Sequence, residues 1–156
     1  IDDAFDGGGV EPLGHVDSAG VVADLGDWPA GHGPGWAALL ANEAPRVEVV
    51  TSHAGADGRI VQALLDDDLR RAEHGLTDRL RGLVVAGTGH GTIHHGLEQA
   101  LCRAQEAGVV VWRSTRVARG GVQARAGDVW QAAGPLTAAQ ARVALMLHLL
   151  GVPVKV

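Results

Sequence analysis

The sequence predicts an α/β fold: a small open parallel sheet of about four strands with helices on both faces, preceded by a linker and hairpin arm. From residue 46 onward, short apolar runs alternate with longer helical segments. This alternation is typical of strand-helix-strand units with right-handed crossovers. Because apolar residues follow one another in most of these runs, the strands are expected to be covered on both faces.

Residues 1–45 differ in composition from the rest of the chain. They have Gly or Pro every few positions and only short apolar pairs such as Val21-Val22. The segments GHV and GVV flank Asp17-Ser18-Ala19-Gly20, which predicts a hairpin. So little apolar surface cannot offset the entropy of ordering the segment. We therefore predict a linker and hairpin arm over residues 1–45 and a folded domain over residues 46–156.

The first strand and the first helix are predicted over residues 47–50 and 60–65. Asp57 precedes the helix and has the side chain of a helix cap. The stretch DDDLRRAEHGLTDRLRG, residues 66–82, mixes acidic and basic side chains. Such mixed charge predicts a solvated helix end and loop.

The second and third strands are predicted over residues 83–86 and 109–112, with a helix at residues 93–107 between them. The apolar positions of this helix fall on one face, and Gly108 supplies a left-handed stop. A loop rich in glycine and arginine then leads to a weak strand near residues 129–130. The four predicted strands complete the parallel sheet.

The last helix is predicted to begin with a capping box formed by Thr137 and Gln140. Its apolar side chains cover most of its circumference: Val143, Leu145, Met146, Leu147, Leu149 and Leu150. A terminal helix that is apolar nearly all round in so small a domain is expected to meet another subunit.

Composition excludes several classes of function. The formal net charge of -5 leaves no electrostatic footprint for nucleic acid. No apolar run approaches the roughly 20 residues of a membrane helix. The single cysteine, Cys102, rules out an intrachain disulfide and a multi-cysteine zinc knuckle. No signal-like segment follows Ile1, so we expect a mature form or a piece of something longer.

In open parallel sheets, ligands bind beyond the carboxyl ends of the strands. The glycine-rich turn GTGHGT, residues 87–92, lies at such an end. Its third glycine is misplaced for a dinucleotide fingerprint, and no acidic residue ends the next strand. A P-loop is also excluded because no Gly-Lys-Ser/Thr is present. Nucleotide binding is therefore not favoured, and no cofactor is expected.

Metal binding and nucleophilic catalysis are not favoured either. Four histidines near the predicted strand ends, His53, His90, His94 and His95, lack an HExxH motif and a carboxylate at matching spacing. Ser52 adjoins His53, but neighbouring residues at a strand end point to opposite sides. No G-x-S-x-G turn is present. We expect no metal site and no complete catalytic set.

Four segments carry a resemblance to a known family: VEVVTSHAGADG, LVVAGTGHGTIHHGLEQAL, GVVVWRSTRV and AAGPLTAAQARVALMLHL. The most specific motifs are R-S-[ST]-R-V after the third strand and G-x-L-x-x-x-x-A-R-x-x-L-[ML]-L in the last helix. Residues 46–151 resemble the C-terminal domain of the bacterial L-asparaginase/glutaminase family. The stretch AFDGGGVEPLGHVDSAGVV is similar to the linker of that family.

The resemblance implies hydrolysis of the side-chain amide of asparagine to aspartate and ammonia, with L-asparagine or L-glutamine as substrate. In the family, the catalytic threonines, lysine and aspartate lie in an N-terminal domain with T-G-G-T-I and G-T-D motifs. Neither motif occurs here. The resemblance thus implies a homo-oligomer in which this domain closes a neighbouring subunit's site, and a chain that is inactive without the catalytic domain.

The resemblance also indicates which residues bind substrate. The family's turn after the second strand usually reads A-G-x-G-N-G, and its asparagine closes over the substrate. His90, next to Gly89, occupies that position here. The family's next loop often carries a glutamate for the substrate ammonium, whereas ARGGVQARAGDVW has Asp128 as its one acid. The expected substrate-binding residues are His90, Gly89 and Asp128.

Two alternatives stay open: a non-catalytic amino-acid-sensing or interaction module, and an amidotransferase subunit of the same lineage. His90 and the missing glutamate favour the module slightly. A single cysteine is compatible with either the cytoplasm or the periplasm of a bacterium.

Overall fold

A computed structural model describes residues 15–16, 18–23, 43–117 and 120–154 of the chain. The described residues form a two-stranded sheet, a four-stranded parallel sheet in the order β3-β4-β5-β6, and three helices. The strands are β1 His15–Val16, β2 Val22–Ala23, β3 Arg46–Thr51, β4 Leu80–Gly87, β5 Val110–Thr115 and β6 Gln131–Thr137, and the helices are α1 Arg59–Glu73, α2 His95–Glu106 and α3 Ala138–Leu149. The predicted fold class is confirmed.

The predicted hairpin is present. Strands β1 and β2 pair antiparallel, with His15 opposite Ala23 and Val16 opposite Val22. Gly20 turns the chain with a φ of 80°, a conformation that a residue without Cβ adopts at little cost. Most of the predicted linker over residues 1–45 lies outside the described residues.

Side chains of the central strands alternate between the two faces of the sheet. Leu83 and Val85 pack with α1 and α2, whereas Val84 and Trp112 pack with α3. Because both faces are covered, β4 and β5 read in sequence as nearly continuous apolar runs. β3 also contributes to the core on both faces, with Val47 in the α3 cluster and Val50 in the α1–α2 cluster, although Val49 is 40% exposed. β3 is an edge strand of the described sheet, and Val49 is exposed to solvent there.

Helix boundaries follow the predicted signals with small shifts. The Asp57 carboxylate accepts from the Arg59 N–H at 3.1 Å, although the residue at the helix cap itself is Gly58. The capping box of α3 is confirmed, since Thr137 and Gln140 bond each other's backbone N–H groups at 2.9 and 3.3 Å. Arg142 of α3 donates to the Val47 carbonyl of β3 at 2.7 Å and ties this helix to the edge strand.

The fourth strand lies later in the chain than predicted. We predicted a weak strand near residues 129–130, but β6 begins at Gln131 and pairs parallel with β5. Gly134 and Pro135 lie inside β6 and weaken its strand signal. The register with β5 also shifts between Arg113 and Thr115, so this pairing is irregular.

The acidic-basic stretch is less solvated than predicted. Asp68 of α1 is buried, with 8% of its surface exposed. Its carboxylate accepts from Arg79 Nε at 2.9 Å and from the Leu80 N–H at 2.6 Å. Burial by itself raises the pKa of Asp68, but the hydrogen bonds from Arg79 and Leu80 outweigh it, and the pKa is lowered. Asp68 therefore anchors the end of α1 to the start of β4.

Candidate functional site

The carboxyl ends of the four parallel strands form one rim of the domain. β3 ends at Thr51, β4 at Gly87, β5 at Thr115 and β6 at Thr137. Parallel strands place these ends, and the loops that follow them, at the same edge of the sheet. The candidate site lies at this edge.

The glycine turn after β4, residues 88–92, is closed by its own backbone. The Thr88 N–H donates to the Thr92 carbonyl at 3.0 Å, and the Thr92 N–H donates to the Thr88 carbonyl at 2.8 Å. Gly89 and Gly91 have φ angles of 50° and 84°, in the left-handed region that favours glycine. The turn therefore has a defined shape before any ligand binds.

Two of the glycines allow close packing of the chain on itself. A Cβ at Gly87 would lie 2.6 Å from the Gly91 carbonyl carbon, and one at Gly91 would lie 2.7 Å from Cγ2 of Val122. A Cβ at Gly89 would meet no atom within 4 Å. Gly89 is thus on the open side of the turn, where a ligand can approach its backbone.

His90 lies at the tip of the turn and is exposed. It borders a groove of about 580 Å³ whose opposite wall is the loop before β6. The loop contributes residues such as Gly121, Val122 and Gln123 to the lining, and β6 contributes residues such as Pro135. The loop is fixed to β6 because the Val122 N–H donates to the Gly134 carbonyl at 2.9 Å.

Asp128 lies in a different depression, a cleft of about 310 Å³ shared with Thr92, Glu98 and Arg113. Its Oδ2 is 2.5 Å from Nη2 of Arg113 and accepts from the Arg125 N–H at 2.8 Å. The predicted residues Gly89 and His90 are therefore adjacent on one turn. Asp128 does not line the groove beside His90, and its carboxylate already holds the loop before β6 against β5.

A sequence profile described as the glutaminase/asparaginase C-terminal domain matches residues 46–151. The chain belongs to the glutaminase/asparaginase family. It is similar to the crystal structure of a probable cytoplasmic L-asparaginase from Campylobacter jejuni, with 34% identity and a TM-score of 0.53. The match covers 67% of this chain and 30% of that one, so the chain spans less than a third of the length of this relative. The predicted resemblance is confirmed.

In this asparaginase-family domain, His94 and Ser52 near the rim have structural partners. His94 caps α2, where its Nδ1 accepts from the Gly96 N–H at 3.2 Å, and its own N–H donates to Ser52 Oγ at 2.8 Å. Ser52 is buried and His53 is exposed, in agreement with the prediction that they point apart.

Within the described ranges, no cluster of three or more His, Cys, Asp or Glu could hold a metal ion. In the same part of the chain, no helix is both long and apolar enough to cross a bilayer.

Sequence reasoning missed the role of Thr115. Its Oγ1 donates to the Gly89 carbonyl at 2.5 Å and accepts from the Val117 N–H at 3.1 Å. The motif R-S-[ST]-R-V contains this residue, but a motif does not reveal which carbonyl a hydroxyl will meet. Thr115 connects the end of β5 to the turn that carries His90.

Proposed function

We propose that this chain is the C-terminal domain of an L-asparaginase-type amidohydrolase, which hydrolyses the side-chain amide of L-asparagine to aspartate and ammonia. The similarity to the Campylobacter jejuni L-asparaginase supports this most directly. The chain aligns with 30% of that protein and contains neither the T-G-G-T-I nor the G-T-D motif of the family, so the chemistry is assigned to an N-terminal catalytic domain. The C-terminal domain formed by this chain is proposed to close the active site of a neighbouring subunit.

The residues proposed to contact substrate are His90, Gly89 and Asp128. His90 is exposed at the tip of a preformed turn, and the backbone of Gly89 is open to approach. An imidazole can donate to or accept from the carboxylate and ammonium groups of an amino acid, depending on its protonation. Asp128 would contact the substrate ammonium with the carboxylate oxygen that Arg113 leaves free.

Oligomerisation is assigned to the outer face of α3. Val143 is 51% exposed, and it lines an apolar depression of about 540 Å³ with Leu136, Leu147 and Val154. Aliphatic side chains that line a depression on a helix favour contact with another protein surface. A second copy of this chain is the proposed occupant of this depression, in line with the predicted homo-oligomer.

Residues 1–45 are assigned as a linker and hairpin arm.

The activity is tested by ammonia release from L-asparagine and L-glutamine. This chain and a product extended upstream of Ile1 to include the catalytic domain are assayed side by side. The extended product is expected to release ammonia, whereas this chain alone releases none. Activity in the short chain would contradict the assignment of all chemistry to the missing domain.

The oligomer is tested by light scattering after chromatography of the extended product. Val143→Glu places a charge on the outer face of α3 and is expected to reduce the molar mass to a smaller assembly. Leu69→Glu is the matched control because Leu69 is also exposed, at 61%, but lies on α1. Equal effects of the two variants would exclude α3 as the interface.

A non-catalytic amino-acid-binding module is the second candidate. It is favoured by His90 at the position where the family usually has asparagine, and by the engagement of Asp128 with Arg113. Calorimetric binding of L-asparagine by the extended product without ammonia release would support it. Ammonia delivered only to a partner protein would instead support an amidotransferase subunit.

A further inference from the structure

Thr115 makes an unusual contact for a residue at the end of a strand. Its side chain is 5% exposed, and Oγ1 donates to the carbonyl of Gly89, 26 residues earlier in the chain. The same oxygen accepts from the Val117 N–H, so the hydroxyl has a donor and an acceptor partner. The hydrogen of the hydroxyl is thereby directed at Gly89.

The Gly89 carbonyl belongs to the peptide unit that joins Gly89 to His90. A peptide unit is planar, so fixing its oxygen fixes the orientation of the bond from which His90 continues. Gly89 itself restrains this unit little, since it lacks a Cβ and has open space around it. The direction of His90 therefore depends on a contact from outside the turn.

Other hydrogen bonds do not replace this contact. The bonds among Thr88, Gly91 and Thr92 lie within the turn, and the Arg116 N–H bonds the Gly87 carbonyl at its base. Among the described residues, the Thr115 hydroxyl is the group outside the turn that bonds its tip. Loss of this hydroxyl would leave the turn closed by its own bonds and packed on Val122 at Gly91, but its tip would lose this hydrogen bond from outside the turn.

We propose that Thr115 is a positioning residue for substrate binding: its hydroxyl holds the Gly89–His90 peptide unit so that His90 faces the groove. The substrate part of this inference rests on the proposed function. A turn that is correctly placed for only a fraction of the time binds substrate more weakly by that fraction. Removal of the hydroxyl should therefore raise KM and leave kcat nearly unchanged.

Ser114 provides a matched control. Its side chain is fully buried, and its Oγ donates to a backbone carbonyl, that of Leu136, at 2.9 Å. Ser114 and Thr115 thus make the same kind of buried hydroxyl-to-carbonyl bond from adjacent positions of β5. The bond from Ser114 leads to β6 and does not touch the turn.

The kinetic test uses the upstream-extended product with Thr115→Val, Thr115→Ser and Ser114→Ala. Thr115→Val is expected to raise KM for L-asparagine about tenfold, with kcat within about twofold, because one hydrogen bond is lost. Thr115→Ser, which keeps the hydroxyl, should return KM to within about twofold of the parent. Equal KM values for Thr115→Val and Ser114→Ala would overturn the inference, as would failure of Thr115→Ser to restore KM.

Amide hydrogen exchange in the same proteins tests the inference independently of activity. The Gly91 and Thr92 N–H groups, which close the turn, are expected to exchange about tenfold faster in Thr115→Val and at the parent rate in Ser114→Ala. An extended product that releases no ammonia would refute the proposed function, while the exchange rates would still decide the role of Thr115. Unchanged exchange in Thr115→Val would refute that role even in an active enzyme.

Discussion

The two ends of the parallel sheet are built from different interactions. At the amino ends of β3 and β4, charged side chains pair with one another, as in the contacts of Arg46 and Arg71 with Asp67 at 3.0 and 2.9 Å. At the carboxyl ends, the contact that reaches the glycine turn runs from a hydroxyl to glycine backbone, from Thr115 to Gly89, and the Arg113–Asp128 pair lies in a separate cleft. The dense charge of residues 66–82 therefore serves a structural role, and it lies at the end of the sheet opposite the candidate site.

Gly87→Ala is expected to have the largest effect, because it forces the turn off the end of β4. The added Cβ would meet backbone atoms of Gly91 at 2.6 to 2.8 Å, and backbone cannot move aside as a flexible side chain can. We expect a loss of about 3 kcal/mol in the free energy of unfolding, measured with urea. Gly89→Ala is the control, with a cost of about 1 kcal/mol for its left-handed backbone and no clash. Equal losses would contradict the close packing of Gly87.

Asp68→Ala tests the opposite end of the sheet. It removes the acceptor of the buried Leu80 N–H and of Arg79, and we expect a loss of about 2 kcal/mol in the free energy of unfolding. Asp66→Ala, an exposed residue that bonds only Gln62 in the described structure, should leave stability nearly unchanged. Neither variant should alter amide exchange at Gly91 and Thr92. Faster exchange there in Asp68→Ala would show that the two ends are not independent.

The ion pairs also predict a dependence of stability on pH. Hydrogen bonds from Arg46 and Arg71 lower the pKa of Asp67, and the pKa of Asp68 is lowered as well. The unfolded chain therefore binds these protons first as pH falls, and stability decreases from about pH 4 down to the folded-state pKa values. Urea midpoints between pH 7 and pH 3 should show this decrease. Asp68→Asn should flatten it, and an unchanged slope in that variant would exclude Asp68 as a contributor.

The smallest effects are expected at the Arg113–Asp128 pair. Arg113→Gln and Asp128→Asn each remove one charge of a pair whose side chains are 16% and 24% exposed, at a cost of about 1 kcal/mol. If Asp128 also contacts the substrate ammonium, Asp128→Asn should raise KM about threefold more than Arg113→Gln does. Equal KM values in the two variants would limit Asp128 to a structural role.

Local sequence signals predicted most of the fold. The apolar runs of β4 and β5 and the capping box of Thr137 and Gln140 each depend on residues that lie close together in the chain. The fourth strand was predicted too early in the chain because Gly134 and Pro135 weaken the strand signal of β6, which nevertheless pairs with β5. Helix α2 began two residues later than predicted because His94 serves as its cap.

The site was predicted less completely because its contacts are long-range. At the site, the Thr115 hydroxyl bonds a carbonyl in another loop. At the opposite end of the sheet, the burial of Asp68 likewise depends on Arg79 and on Leu80, the first residue of β4. Neither the Thr115 contact nor the contacts of Asp68 can be predicted from the spacing of residues in the sequence. The family resemblance identified His90 and Gly89 as neighbours on one turn, but it did not indicate that Asp128 would pair with Arg113 in a separate cleft.

Mixed oligomers test most directly the claim that the His90 turn closes a neighbouring subunit's site. Two extended products are refolded together: one carries His90→Ala, and the other carries Ala in place of the catalytic threonine of the N-terminal domain. If the turn acts across subunits, some hybrid sites combine an intact threonine with an intact His90. Ammonia release at low L-asparagine should then exceed the sum of the two separate proteins. A rate equal to that sum would contradict the account and place His90 within its own subunit's site or outside any site.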